Sequence, residues 1–437
     1  MKKSALVFIL AAFAFSLQAQ EAKTKSGWNF GVLPSISFDS DLGFQYGGLI
    51  DLYNYGPGDI YPDFYHKIYV EVSRYTKGSG INRFNYESAH LIPGIRYTTD
   101  LSFLPDQAYD FYGFNGYNAV VNKEWMDPES NQYISRMFYR HKRSLFRFKN
   151  DFEGKFSGEK LLWNAGFAIQ NFRTSPVDLE KINKGKDPGD QIPDVPGLFD
   201  LYQEWGIIGS EEADGGLVTT IKAGLTYDTR DNRPNPMKGI WTEAGIETSQ
   251  KFLGSEATFG KFYFTHRQYF TLIPSDLSLA YRLGYQQTIF GDVPFYYQPQ
   301  VIVSALRGST SEGLGGSKTL RGIWRNRVVG DGFLYGNVEL RWKPVRFSFI
   351  NQNFYLGLNA FSDFGMVTRE IEFTQNITSP YNPSDFFKTD AEKLHVSAGV
   401  GLRVVMNENF IIAFDLGKAF NEQDGNIGFY VGLNYLF

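Results

Sequence analysis

Apolar and polar residues alternate with period two along most of this chain. In residues 277–285, Leu277, Leu279, Tyr281, Leu283 and Tyr285 share one face, while Ser278, Ala280, Arg282 and Gly284 share the other. In 396–404, Val396, Ala398, Val400, Leu402 and Val404 oppose Ser397, Gly399, Gly401 and Arg403. At the end of the chain Ile427, Phe429, Val431, Leu433, Tyr435 and Phe437 oppose Gly428, Tyr430, Gly432, Asn434 and Leu436. Successive side chains of a strand point to opposite faces, so strict alternation predicts β-structure. About sixteen strands are expected, near 28–38, 42–54, 65–76, 80–90, 137–156, 161–174, 218–231, 240–252, 258–273, 276–290, 333–343, 353–364, 394–405, 409–418 and 426–437, with one more inside 92–120.

The polar faces carry charge as well as small residues: Glu243, Glu247, Asn337, Glu339, Arg341, Arg403 and Asp415. A soluble sandwich or propeller would turn such faces to water. A transmembrane barrel would turn them inward and show the apolar faces to lipid. Segment length favours the barrel, since about nine to eleven tilted residues cross a bilayer. Only a closed barrel pairs every strand backbone group in lipid. The expected fold is therefore an all-β, antiparallel transmembrane barrel. The short connections at Ser157–Lys160, Pro274–Asp276 and Asn407–Glu408 suit periplasmic turns, and the long ones suit extracellular loops. The longest, about 175–216, is rich in Pro, Gly and acid. It reads as a solvated surface segment, with a lid over the barrel mouth as the alternative.

Composition narrows the picture. Lys2 and Lys3 precede an apolar run from Ala5 to Phe15, and Ala19 offers a small residue for cleavage. That run is too short for a membrane helix and predicts a signal peptide over residues 1–19. A short lead over 20–27 and one barrel domain over 28–437 would follow, with no room for a periplasmic module. The sequence has no Cys, 40 Phe and 27 Tyr, and a net charge of only −4. The charge gives no nucleic-acid signature, and the missing Cys leaves stability to sheet and core.

Gly315–Trp342 is the stretch most suggestive of specific chemistry: glycine-rich and basic, then alternating. It fails as a phosphate loop, because Ser317 separates Gly316 from Lys318 and no strand-then-helix context surrounds it. Histidines 66, 90, 141, 266 and 395 are scattered without metal-ligand spacing. No nucleophile pattern stands out, so neither an enzyme nor a cofactor is expected.

Gly315, Gly316, Leu320, Arg321, Gly322 and Ile323 resemble the sixth-loop motif of the BamA/TamA outer-membrane assembly and two-partner-secretion superfamily, also called the bacterial surface antigen family. Ile323 departs from the usual aromatic there. Val338–Arg341 and Phe361–Gly365 resemble the strands that follow, and Tyr227–Asn232 with Pro236–Gly239 resembles an earlier strand-turn signature. The resemblance implies a loop folded into the lumen, with Arg321 bonding Glu339 and Asp363 on the inner wall. The alternation independently puts both acids on the lumen face. A static loop anchor remains the plain alternative to a moving part. Ending on Phe437 resembles an outer-membrane sorting signal carried by Phe429, Tyr435 and Phe437. Pro34 in the first strand and Gly428 and Gly432 in the last make a weak closure, to be probed near Gly31; a local bulge is the alternative.

The implied function is to assist insertion or translocation of proteins, or of lipids, into or across the outer membrane of a Gram-negative bacterium. A plugged or gated diffusion pore is the alternative. Implied partners are outer-membrane lipid, the outer-membrane assembly machinery for its own insertion, and a periplasmic or lipoprotein partner.

Overall fold

The computed structural model describes residues 24–39, 42–302, 313–374, 376–377 and 379–437. The predicted signal peptide lies outside the described residues, as does part of the lead. Sixteen antiparallel strands follow one another around a single sheet. They are β1 (Trp28–Pro34, resuming as Ser37–Asp39), β2 (Gly43–Asn54), β3 (His66–Tyr75), β4 (Gly80–Ile92), β5 (Ile95–Asp110), β6 (Arg140–Ser157), β7 (Leu161–Ser175) and β8 (Gly215–Asp228). The second half comprises β9 (Gly239–Ser249), β10 (Phe259–Ile273), β11 (Leu277–Gly291), β12 (Gly332–Phe349), β13 (Gln352–Arg369), β14 (His395–Met406), β15 (Phe410–Ala419) and β16 (Ile427–Leu433). Each strand from β2 to β15 pairs with both sequence neighbours.

Burial decides between sandwich and barrel. Leu340, Trp342, Val400 and Phe429 are exposed, whereas Glu243, Glu339, Asp363, Arg403 and Asp415 are buried. Charges inside and apolar side chains outside is the inversion that only a surrounding of lipid stabilises. Among the described residues no helix is long and apolar enough to cross a membrane.

β12 runs past its predicted end at Lys343: the register slips by bulging between Trp342 and Val345, around Pro344, and pairing with β13 continues to Phe349. A bulge is where a sheet tolerates a residue without an N–H donor. The last strand is shorter than its alternation. β16 stops at Leu433, and Asn434 adopts a left-handed backbone (φ 70°).

The extracellular loops form an apolar cap. The helix Leu198–Glu204 and Trp205 bury Leu198, Phe199, Leu201, Tyr202 and Trp205 against Phe111, Phe114, Phe138, Phe295 and Phe386. The 175–216 connection is thus only half a solvated segment: its acidic stretch is exposed, and its apolar stretch is core of the cap. Beneath the cap, His395 Nδ1 lies 2.7 Å from Asp424 Oδ1 and its ring stacks on Tyr117 at 3.8 Å, tying two loops to the start of β14.

Candidate functional site: the loop lock and the seam

The lock is built from a loop and four strands. Leu314 and Val328 pair as an isolated bridge, so the segment between them forms a hairpin inside the lumen. Leu320 and Ile323 sink into an apolar cluster with Trp241, Phe333, Tyr335 and Val367. That cluster fixes the height of the intervening Arg321, which is 0% exposed. The Arg321 backbone N–H and Nε both donate to Asp363 Oδ2 at 2.9 Å, and Nη2 donates to Oδ1 at 2.9 Å. Its guanidinium also covers the Phe361 ring at 3.5 Å.

Glu339 Oε1 lies 2.7 Å from Arg321 Nη1, but off the line of a hydrogen bond, so the forked pair goes to Asp363 and Glu339 adds charge. Its other oxygen accepts from Arg341 Nε at 2.8 Å. Asp415 Oδ1 lies 3.6 Å from Arg321 and is itself forked by Arg403 at 2.9 Å through both oxygens. The buried charges therefore alternate across the wall: Arg403, Asp415, Arg321, then Asp363 and Glu339, then Arg341. Burial alone would lower the Arg321 pKa, yet Asp363 and Glu339 hold it above the ordinary guanidinium value.

Gly322 lets the loop reach the wall. Its φ is +93°, and a Cβ there would sit 2.7 Å from the backbones of Gly417 and Lys418 on β15. Its N–H donates to Tyr430 Oη at 2.9 Å. Gly315 and Gly316 also have positive φ and begin the hairpin. Asp415, Arg341 and Arg403 stand on the lumen face in the sequence pattern, but nothing local pairs them with Arg321.

The seam departs from expectation. β1 has a ladder only with β2, and β16 only with β15; no register joins β1 to β16 among the described residues. A lumen cavity of about 460 Å³ borders that gap, lined by Leu33, Pro34, Ser35 and Ile36 on one side, by Val431, Gly432, Leu433 and Asn434 on the other, and by inward residues of β2, β3 and β4 such as Asp51, Lys67 and Arg83. β1 breaks just after Pro34, which offers no N–H. Gly31 does not face the last strand: the Phe410 ring of β15 lies over it, 2.3 Å from where a Cβ would stand. Gly428 pairs with Gly417 on β15. On the periplasmic side Tyr53 Oη donates to Asn409 O at 3.0 Å, and Asn409 Nδ2 donates to Tyr55 Oη at 2.9 Å, so side chains hold the ends together.

The terminal aromatics part company. Phe429 faces lipid, 65% exposed, but Tyr435 and Phe437 turn into the lumen. The left-handed Asn434 ends the alternation, and cation–aromatic contacts hold the new direction: Arg341 lies 4.5 Å from the Tyr435 ring and 4.7 Å from that of Phe437. Arg341 Nη2 also donates to Phe437 O at 3.0 Å. The reading of Ile427 to Phe437 as one continuous lipid-facing row is corrected accordingly.

A family model described as the Omp85 superfamily domain matches residues 117–437. No curated protein matches in sequence. CdiB from Escherichia coli is similar in fold at TM-score 0.53 and 11% identity, covering 96% of this chain and 66% of that one. BamA from Haemophilus ducreyi, lacking POTRA domains 1-3, aligns at TM-score 0.47 and 14% identity, covering 94% of this chain and 71% of that one. CdiB from Acinetobacter baumannii aligns at TM-score 0.46 and 13% identity, covering 94% and 60%.

Proposed function

This chain belongs to the Omp85 superfamily, and from that premise we propose that it assists insertion of proteins into the outer membrane through the seam between β1 and β16. It is an integral outer-membrane β-barrel of a Gram-negative bacterium. The observation that carries the lateral reading is the unpaired seam. Strand edges in lipid leave N–H and C=O groups without partners, which costs several kcal/mol per group unless a strand or a polar surface meets them. An edge held open beside a polar chamber is a template on which a client strand pairs.

The outer mouth supports the same direction. The aromatic cap packs the loops together at the outer end and the locked hairpin sits in the lumen, while the cavity lies beside the seam. The periplasmic contacts of a client, and its delivery, belong in this proposal to a periplasmic or lipoprotein partner. The barrel contributes the edge, and the Arg321 network keeps the hairpin from filling the cavity.

Cysteine pairs scanned between residues 33–36 and 431–434 test the reading. A disulfide needs Cα atoms within about 7 Å, so only a closing seam forms one. The protein has no native Cys to compete. With the seam cross-linked, a deletion strain should lose other barrels from its outer membrane, and reductant should restore them. Undiminished levels with the seam fully locked would overturn lateral insertion. A permeability change with an unaltered outer-membrane proteome would point to a diffusion pore instead.

A further inference from the structure

Among the described residues Arg267, in the lumen, has neither an ion pair nor a side-chain hydrogen bond. Asp228, Trp241, Arg267 and Arg282 stand side by side in register on β8, β9, β10 and β11. Asp228 is taken by Arg230, whose Nε and Nη2 fork onto it at 3.0 and 2.8 Å. Arg282 donates from Nε to Asn337 Oδ1 at 2.8 Å and from Nη2 to Lys318 O at 3.2 Å. Arg267, only 3% exposed, has the Trp241 ring at 4.3 Å and the guanidinium of Arg282 on the strand beside it. Its Nε and Nη2 are shut away from solvent with no hydrogen-bond partner, and no carboxylate pairs with it among the described residues. A buried guanidinium set beside a like charge is costly unless an anion joins them.

Arg267 lines a lumen chamber of about 180 Å³, together with Arg230 and Lys318. The carboxylates on the chamber wall do not answer it, because each already has a cation. Asp63 and Glu87 pair with Arg96 at 3.6 and 2.8 Å, Asp100 with Arg147 at 2.9 Å, Asp151 with Lys222 at 2.8 Å, and Glu153 with Arg233 at 3.2 Å. The chamber adjoins the seam cavity: Asn85, Lys318, Leu433 and Asn434 line both. We infer that this chamber is a binding site for the phosphate group of an anionic lipid, with the phosphate on Arg267, flanked by Arg230 and Lys318, and the acyl chains leaving through the seam. Guanidinium is suited to phosphate oxygens by its planar fork. An apolar exit beside that fork selects a phosphate carried on a lipid over one free in water.

The proposal rests on the seam's geometry and not on protein insertion. A chain that binds lipid but supports no client would overturn only the functional reading above. The test titrates the detergent-solubilised protein by calorimetry with dioctanoyl phosphatidylglycerol, dioctanoylglycerol and inorganic phosphate. The phosphatidylglycerol should bind, at least tenfold more weakly to Arg267→Gln, and with intermediate strength to Arg267→Lys, which keeps the charge without the fork. Dioctanoylglycerol, without phosphate, should not bind. Inorganic phosphate bound as tightly, with the same dependence on Arg267, would keep the anion site and assign it to the free ion. Heat-modified gel mobility reports folding of each variant. If Arg267→Gln does not fold, Lys318→Gln on the loop probes the same cluster and should weaken binding severalfold. No binding to wild type, or equal binding to wild type and a folded variant, overturns the site.

Discussion

Arg321→Ala is the sharpest perturbation of the lock. The substitution removes the two side-chain hydrogen bonds to Asp363, the close ion pair with Glu339 and the cover over Phe361, and leaves the backbone N–H bond to Asp363. Two carboxylates, neither exposed to solvent, then face each other without the cation between them. Breaking one partner out of a buried pair costs about 3–5 kcal/mol. Arg341 still holds Glu339, and Arg403 still holds Asp415, so the lower end applies, about 3 kcal/mol by the same reasoning. The loss should appear as a lower temperature for conversion of the heat-modifiable gel band. It should also appear as new proteolysis within residues 313–331 on intact cells. Arg321→Lys keeps the charge but loses the fork, and should recover about half of the loss. Adding Asp363→Asn to Arg321→Ala should cost little or even recover stability, because the orphaned carboxylate is gone; a double-mutant cycle reads that coupling. If Arg321→Ala matches wild type in both assays, or the two substitutions simply add, the ion pair does not hold the loop and the lock reasoning fails.

Gly322→Ala should loosen the same hairpin by about 1–3 kcal/mol through overpacking and a positive φ, visible as loop proteolysis with the strands still folded. In planar bilayers the intact protein should show only small, fluctuating conductance, and deletion of residues 313–327 should enlarge it; large steady conductance from the intact chain would refute a closed outer mouth. Trp205→Ala should cost about 3–5 kcal/mol of cap packing and expose residues 176–214 to external protease, leaving the heat-modified shift of the barrel in place. Phe437→Ala should free Arg341 of one aromatic face and lower thermal stability by about 1–2 kcal/mol, measured by the same band conversion.

Much of the barrel was legible because alternation is a local property. Each residue's face follows from its parity along the strand, so Glu339 and Asp363 could be placed on the lumen face before any pairing was known, while their contact with Arg321 was implied by the family resemblance. Where the backbone departs from regular alternation, the pattern misled. β12 was expected to end at Lys343, and only the partner strand provides the bulge that carries it past Pro344. Asn434 looked like one more inward residue of β16, but its left-handed turn sends Tyr435 and Phe437 to Arg341 inside the barrel. Asp415 and Arg403 were visible as lumen residues, yet their place in the Arg321 network depends on β13, β14 and β15 lying side by side. The cap is similar: its apolar residues come from loops with no period, and their common core exists only once the strands bring those loops to one end.

Parity along a strand thus determined which side chains face lipid and which face the lumen, because the repeat of the extended chain is two residues whatever surrounds it. The tertiary structure alone decided which lumen charges meet, that no ladder joins β1 to β16 among the described residues, and that Arg267 has no carboxylate there, because each depends on groups far apart in sequence that only the curl of the sheet brings within a few ångströms.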